Sequence, residues 1–251
     1  MSLFPCETKL LCPTLHALHD DEILQVSALP ERTEGIFVYL WQHQMDVSQL
    51  LMWTKQHAPH LLTDEILQMR PKRLIERLSV LILLHQLLPS ANVLAHLPSG
   101  APYLPQAEYH ISISHTQGCY GLSFSHWPHG IDLEKWGEKA LRVRSMFVRD
   151  DEQTLFDNMS PQTTAEQTAT LLWSAKESIY KLFDIPGLSF RDDMQLAPHS
   201  STILKAKLPR IQASALIFHK RFTHFAFTCA LCTDIQGVVQ TLVSDDSKLE
   251  S

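Results

Sequence analysis

Residues 129–136 read HGIDLEKW and predict a β-strand that carries two neighbouring acids. Asp132 and Glu134 alternate with the apolar residues Ile131 and Leu133. Because residues i and i+2 of a strand share a face, both carboxylates point to one side while the apolar pair anchors the other. Two carboxylates this close repel each other unless a positive charge lies between them. A solvated edge strand with acids on its wet face is the plainer interpretation, and the pair alone favours it.

A second stretch, WSAKESIYK at residues 173–181, predicts a helix with one functional face. Trp173, Glu177 and Lys181 follow one another at intervals of four residues and therefore lie along one stripe. Trp173 can pack while Glu177 and Lys181 face a common space, with Lys176 adjacent. The alternative is an ordinary surface Glu–Lys pair, which is worth only about 0.3–0.5 kcal/mol.

The predicted elements follow the same order, strand, helices and hairpin, in both halves of the chain. In the first half the strand is at 35–41, the helices are at 47–56 and 70–88, and the hairpin is at 109–125. In the second half the strand is at 130–134, the helices are at 141–156 and 168–183, and the hairpin is at 214–231, with its turn at Lys220-Arg221. We therefore predict two similar α/β lobes, 1–125 and 126–243, with a ligand-binding cleft between them. The polar residues 244–251 are expected to form a flexible tail. Coincidence is the alternative explanation of the repeated order.

The composition is that of an acidic protein large enough to bury a substantial core. The chain has 251 residues, 45% of them hydrophobic, and a formal net charge of −6. Nucleic-acid-binding surfaces are usually basic, so no nucleic-acid partner is expected. The most apolar stretch, at 78–88, is too short to span a bilayer, and no signal peptide opens the chain. We expect a cytoplasmic location, no membrane partner and, with two lobes in one chain, a monomer.

Neither the cysteines nor the histidines predict a metal centre or a disulfide framework. Cys229 and Cys232 form a CxxC on a predicted strand, where their side chains would point to opposite faces. Core packing is the better interpretation of both. The fourteen histidines have no zinc-site spacing, which favours scattered surface positions.

The motifs HGIDLE at 129–134 and WSAKES at 173–178 together resemble a known family. They are similar to the signatures of the 4′-phosphopantetheinyl transferase superfamily, in its larger, single-chain type (the surfactin-synthetase-activating class). Three further motifs agree with that family in type and order: KRLIERL at 72–78, SISHT at 112–116 and FVRDDE at 147–152.

The resemblance implies a fold and a reaction. The fold would be α/β (α+β), with two lobes related by a pseudo-two-fold axis and the active site in the cleft between them. The enzyme would transfer the 4′-phosphopantetheine arm of coenzyme A to a serine of an apo acyl or peptidyl carrier protein, releasing 3′,5′-ADP. Carriers of fatty-acid, polyketide and nonribosomal peptide biosynthesis all remain open as partners.

The resemblance also implies the metal site and the catalytic groups. Asp132, Glu134 and Glu177 would hold Mg²⁺, which prefers hard oxygen ligands such as carboxylates and phosphates. Lys181 would meet the diphosphate and assist the leaving phosphate. Glu152 matches the family's proposed base for the carrier serine. Alternatively, a metal-bound water is the base, and Glu152 is only an acid at a helix N-terminus.

Coenzyme A is the implied co-substrate, and its phosphates need their own ligands. His115 and Thr116 match the family's phosphate-binding loop, which Ser114 flanks. Arg73 matches the arginine that grips the 3′-phosphate, and a guanidinium suits phosphate geometry. Lys176 is a second candidate cation for the diphosphate.

Two positions depart from the family pattern. Ala101 stands where the family often has a lysine before the hairpin, and Leu81 stands where a second arginine often follows Arg73. Weaker affinity for coenzyme A, or a less strict demand for the 3′-phosphate, would follow. Two other functions stay open: a Mg²⁺-dependent hydrolase of a nucleotide diphosphate, and a non-catalytic module that binds coenzyme A or a carrier.

Overall fold

The computed structural model describes residues 25–26, 36–88, 93–159 and 163–233. The strands are β1 (Gln25–Val26), β2 (Ile36–Gln42), β3 (Ala95–His96), β4 (Pro102–Tyr103), β5 (His110–Thr116), β6 (Cys119–Ser125), β7 (His129–Lys135), β8 (Gln195–Pro198), β9 (Ile203–Leu208), β10 (Ala213–Arg221) and β11 (Phe225–Cys232). The α-helices are α1 (Val47–His57), α2 (Asp64–Leu67), α3 (Pro71–Leu87), α4 (Glu138–Arg142), α5 (Gln153–Met159) and α6 (Ala165–Phe183). The predicted mixed α/β class is confirmed. The predicted tail at 244–251 lies outside the described residues.

Two larger sheets share a connectivity. One has the order β1-β2-β6-β5 and the other β7-β11-β10-β9-β8, and β3 pairs with β4 in a small separate hairpin. In each large sheet the strand that precedes the helices, β2 or β7, pairs antiparallel with the last strand of a hairpin, β6 or β11. The element order read from the sequence therefore corresponds to a repeated strand pairing.

The predicted strands and helices of the first half are present with nearly the expected bounds. Asp46 caps α1 by accepting a bond from the Gln49 backbone N–H, and the Gln49 side chain bonds back to Asp46. Pro71 begins α3, where a missing N–H costs nothing. The apolar face of α3 packs with α1 beneath the first sheet.

The second half departs from prediction in two places. The stretch 141–156 is not one helix, because the backbone is extended at Arg149 (φ −80°, ψ 161°) and 3₁₀ turns flank it. The last hairpin turns at residues 222–224, and Lys220-Arg221 still belong to β10. Phe222 closes that turn, since its N–H bonds to Phe225 O and the two rings stack with centroids 4.7 Å apart.

A glycine lets β7 lie directly against α6. A Cβ at Gly130 would come within 2.1 Å of Ser178 O and 2.6 Å of Leu182 N on the helix. Real side-chain carbons do not approach backbone atoms that closely, so only glycine fits. This contact sets the distance between the two acidic motifs.

Three hydroxyl groups of β5 connect the two large sheets, and we call them the hydroxyl seam. Each accepts a hydrogen bond from a backbone N–H of β7: Ser112 from Ile131 at 3.0 Å, Ser114 from Leu133 at 3.0 Å and Thr116 from Lys135 at 3.2 Å. The offset of 19 residues is constant, so β5 and β7 run in the same direction. A buried strand edge is thereby satisfied by side chains rather than by another strand.

Apolar side chains fill the space between the large sheets as well as the space under the helices. One buried cluster contains Val38, Leu40, Ile131, Leu133 and Phe227. Cys229 belongs to that cluster while Cys232 packs against the core beside α6, so the prediction of opposite faces is confirmed. None of the helices in the described ranges combines the length and the apolar character needed to cross a membrane.

The prediction of surface histidines is wrong at three positions. His43, His129 and His219 are all buried in the described structure. Burial lowers the pKa of each to about 4, so these imidazoles are neutral at pH 7. His43 bonds to Ser79 Oγ and His129 to Ser123 Oγ, both at 2.8 Å, which satisfies a polar atom of each ring in the core.

Candidate functional site

Asp132 is the centre of the candidate site. It lies on β7 and is only 5% exposed. Its Oδ1 accepts hydrogen bonds from Ser114 Oγ at 3.0 Å and from Lys181 Nζ at 2.8 Å. Its Oδ2 is buried and has no hydrogen-bond partner in the described part of the chain. A buried carboxylate oxygen without a partner is costly, which marks it as a position for a missing ligand.

The helix α6 brings Glu177 and Lys181 to this strand. It begins at a capping box in which Thr164 accepts from Gln167 N and the Gln167 side chain bonds back. Near its other end, Lys181 Nζ bonds to Ile131 O at 3.0 Å as well as to the Asp132 carboxylate. Glu177 and Lys181 therefore lie on one face of α6, as their four-residue spacing predicted.

Glu134 is oriented by the tryptophan of the helix motif. The Trp173 indole N–H donates to Glu134 Oε1 at 3.2 Å. The indole ring is fixed between Phe147 and Phe190, with both ring centroids 5.2 Å away. Trp173 thus does more than pack, since it links the two acidic motifs directly.

The pKa values of the two glutamates of the site are raised. For Glu134 and for Glu177, burial raises the pKa most and the negative charge of Asp132 raises it next. The positive charges of Lys139 and Lys181 oppose both shifts. A cation bound between these carboxylates would relieve their repulsion.

The three carboxylates have the chemistry that magnesium prefers, but they do not by themselves enclose a metal ion. Among the described residues, no three His, Cys, Asp or Glu side chains already form a group that could hold a metal ion. Mg²⁺ is usually held by one or two carboxylates together with waters and substrate phosphates, so a closed protein cage is not required. The unpartnered Asp132 Oδ2 and the mutually repelling glutamates fit such a partial set.

The same residues line a large cavity. Its volume is about 570 Å³, within the usual range for a small-molecule site. The acidic group lines it with Lys181, and so do Arg73, Ser114 and His115. Thr116 is not part of the lining, and its hydroxyl belongs to the hydroxyl seam. His115 and Thr116 are strand residues of β5 and not, as predicted, loop residues.

One family model matches the part of the chain that carries the acidic group. Residues 128–233, less than half of the chain, match the family model of the 4′-phosphopantetheinyl transferase superfamily. The superfamily domain spans β7 to β11 and therefore contains Asp132, Glu134, Glu177 and Lys181. The matched range does not include Arg73 or the SISHT stretch. No curated protein matches the chain.

His115 faces the superfamily domain from the first sheet. Its Nε2 lies 3.8 Å from Glu76 Oε2 on α3. Burial lowers the pKa of His115 most, and the positive charges of Lys181 and Arg73 lower it further, against the opposing effect of Glu76. Neutral imidazole with a free donor can still bind a phosphate oxygen.

Arg77 is a cavity residue that the sequence reasoning missed. It lies one turn after Arg73 on α3, and its Nη1 bonds to His96 Nε2 at 3.2 Å. Burial and the charge of Arg73 lower its pKa. Within the described ranges it forms no ion pair with a carboxylate. The i, i+4 spacing in KRLIERL was the available signal, whereas Leu81 is 7% exposed and belongs to the core.

Glu152 and Lys176 are not brought to the cavity. They form a buried ion pair, with Lys176 Nζ 2.8 Å from Glu152 Oε2 and 3.0 Å from Oε1. Lys176 also donates to the carbonyls of Phe147, Phe190 and Met194. Neither residue lines the cavity that Asp132 lines. These contacts give the pair a structural role, and the roles of a base and of a diphosphate ligand stay predictions.

Proposed function

We propose that the protein transfers the 4′-phosphopantetheine group of coenzyme A to a serine of an apo acyl or peptidyl carrier protein, with release of 3′,5′-ADP. One observation carries the proposal. A single cavity is lined both by the acidic group of the superfamily domain and by the guanidinium groups of Arg73 and Arg77. The phosphates of coenzyme A need both a metal and direct cationic ligands. In such a cavity the acidic group would hold the metal, and the guanidinium groups would be the cationic ligands.

Asp132, Glu134 and Glu177 would hold magnesium in this proposal. Bound there, the metal would polarise the reacting phosphoryl group and neutralise the charge that develops on it. The support is the unpartnered Asp132 Oδ2 and the raised pKa values of both glutamates. Lys181, whose side chain is 28% exposed, holds one Asp132 oxygen and remains able to meet a phosphate of the substrate.

Arg73 and His115 would bind the phosphates of coenzyme A, and Ser114, whose one proton is donated to Asp132, would flank them. The Arg73 side chain is 64% exposed and so is free to close on a ligand, although Glu76 lies 3.6 Å away. Thr116 would not contact coenzyme A and would only help to join β5 to β7 through the hydroxyl seam. The bond of Ser99 Oγ to Asp184 Oδ2, at 2.6 Å, joins the loop around Ala101 to the end of α6.

We also propose that the protein is of the single-chain type with two related lobes. The shared pairing of β2 with β6 and of β7 with β11 supports two lobes related by a pseudo-two-fold axis. One chain would then contain both walls of the cavity, and a monomer would suffice. A light-scattering mass of one chain at micromolar concentration would agree, whereas an obligate dimer would not.

Intact-mass spectrometry tests the function directly. The protein is incubated with coenzyme A, Mg²⁺ and a panel of apo carrier proteins, with chelator in the control. The proposal expects a mass increase of one phosphopantetheine group on a carrier, with 3′,5′-ADP formed in equal amount. Nucleotide cleavage without a carrier product would indicate a hydrolase, and coenzyme A binding without either product would indicate a non-catalytic module.

A further inference from the structure

The Ser114 hydroxyl makes two different contacts at once. It accepts the Leu133 backbone N–H at 3.0 Å and donates its own proton to Asp132 Oδ1 at 3.0 Å. A hydroxyl has one proton to give, so that proton is committed to the carboxylate. Ser114 is 4% exposed, so little of its surface is open to solvent.

These contacts leave the two oxygens of Asp132 in different states. Oδ1 is held from one side by Ser114 and from the other by Lys181, while Oδ2 has no partner among the residues described. Turning the carboxylate out of this plane would break both bonds. The arrangement therefore keeps one chosen oxygen unpartnered.

We propose that Ser114 is a positioning residue, which locks the Asp132 carboxylate so that Oδ2 is presented to a divalent cation. This inference rests on the proposed function, in which Asp132 is a metal ligand. Hydrogen bonds to a ligating carboxylate typically affect metal affinity by 10–100-fold when they are lost. Because the same hydroxyl belongs to the hydroxyl seam, the orientation of Asp132 is tied to the register of the two sheets.

The chain offers a matched control for this proposal. Ser112 has the same 4% exposure and accepts a backbone N–H of β7, from Ile131, at the same 3.0 Å. It differs from Ser114 in making no bond to Asp132. Removal of either hydroxyl costs one seam bond, so the difference between the two variants isolates the contact with the carboxylate.

The test measures Mn²⁺ binding by electron paramagnetic resonance of the free ion, with coenzyme A present, together with the free energy of unfolding. We expect both variants to lose the stability of one seam bond, and Ser114→Ala also that of its bond to Asp132, whereas only Ser114→Ala weakens Mn²⁺ binding, by about 10–100-fold. Ser114→Thr retains the hydroxyl on a strand-favouring residue and should restore most of the affinity.

Two results would overturn the inference, and they can be told apart. Equal Mn²⁺ affinity in Ser114→Ala and Ser112→Ala would remove the positioning role while leaving the proposed function intact. Absence of Mn²⁺ binding in the unmodified protein would overturn the proposed metal site, and the positioning role with it.

Discussion

Lys176 and Glu152 form a buried ion pair whose side chains are 0% and 3% exposed. Every carboxylate oxygen of Glu152 has two donors, because Leu196 N also bonds to Oε1 at 2.6 Å and Arg149 N to Oε2 at 2.9 Å. The pair joins α6 to the 3₁₀ turn of residues 150–152 and to β8. A carboxylate so fully bonded is a poor proton acceptor for a substrate.

We predict that Glu152→Gln damages stability rather than chemistry. The amide leaves the Lys176 ammonium buried without its counter-charge, and its NH₂ group faces backbone donors. Breaking a buried pair in this way typically costs about 3–5 kcal/mol of unfolding free energy. Urea unfolding and single-turnover transfer by the folded fraction, measured on the same preparation, separate the two effects.

Lys176→Met in the Glu152→Gln background supplies the control. Removal of both charges is expected to recover part of the stability, since no ammonium group is then left buried without a counter-charge. If Glu152→Gln instead unfolds like the unmodified protein and its rate constant falls about a hundredfold, Glu152 regains the role of general base.

Glu177→Gln should have opposite effects on stability and on activity. Neutralising one acid relieves its repulsion with Asp132 and Glu134, which raises the unfolding free energy in metal-free buffer. Transfer should fall by roughly a hundredfold or more, because metal stabilisation of the reacting phosphate is worth several kcal/mol. Glu166→Gln, in the first turn of the same helix, is the control and should lose a little stability and no activity.

The local features of the site were predictable, and the long-range ones were not. Alternation in HGIDLE and the i, i+4 spacing of Trp173, Glu177 and Lys181 fix which side chains share a face, and the structure agrees. Lys176 is a neighbour of Glu177 in sequence, but its side chain points into the core, where carbonyls from three separate segments converge. No local pattern reports that convergence. The strand β9 was missed although its ILKAKL pattern alternates.

Arg77→Ala should weaken coenzyme A binding more than dephospho-coenzyme A binding. The Arg77 guanidinium lines the cavity, lies near Arg73 and has no ion-paired carboxylate in the part of the chain described, so an anionic group of the ligand is its natural partner. A lost charged hydrogen bond costs about 1.5–3 kcal/mol, or roughly ten- to a hundredfold in affinity. Calorimetry with both ligands is the measurement, and equal losses for the two would exclude this role. Arg142→Ala, on an exposed pair with Glu138, controls for net charge.

Acidification should destabilise the protein through its buried histidines. The folded-state pKa values of His43, His129 and His219 are about 4, below the ordinary value of 6.5. The unfolded chain therefore takes up protons first, and stability falls as the pH drops from about 6.5 towards 4, by up to about 1.4 kcal/mol per pH unit for each residue. Glu134 and Glu177, whose pKa values are raised, oppose this trend. Urea unfolding across this range is the measurement, and His219→Leu should flatten the slope by one proton. An unchanged slope would contradict the assignment.

Gly130→Ala should disturb the site without touching any polar group in it. A methyl group there would overlap Ser178 O and Leu182 N, so α6 must move away from β7. Overpacking of this kind typically costs about 1–3 kcal/mol. The shift would also lengthen the 2.8 Å contact of Lys181 with Asp132 and separate Glu177 from the acids of β7, so transfer should decline even in the folded fraction. Gly137→Ala is the control, because a Cβ there meets nothing within 4 Å. Stability and transfer rate measured on both variants decide the matter: two variants that behave alike would mean that the contact between β7 and α6 does not set the geometry of the site.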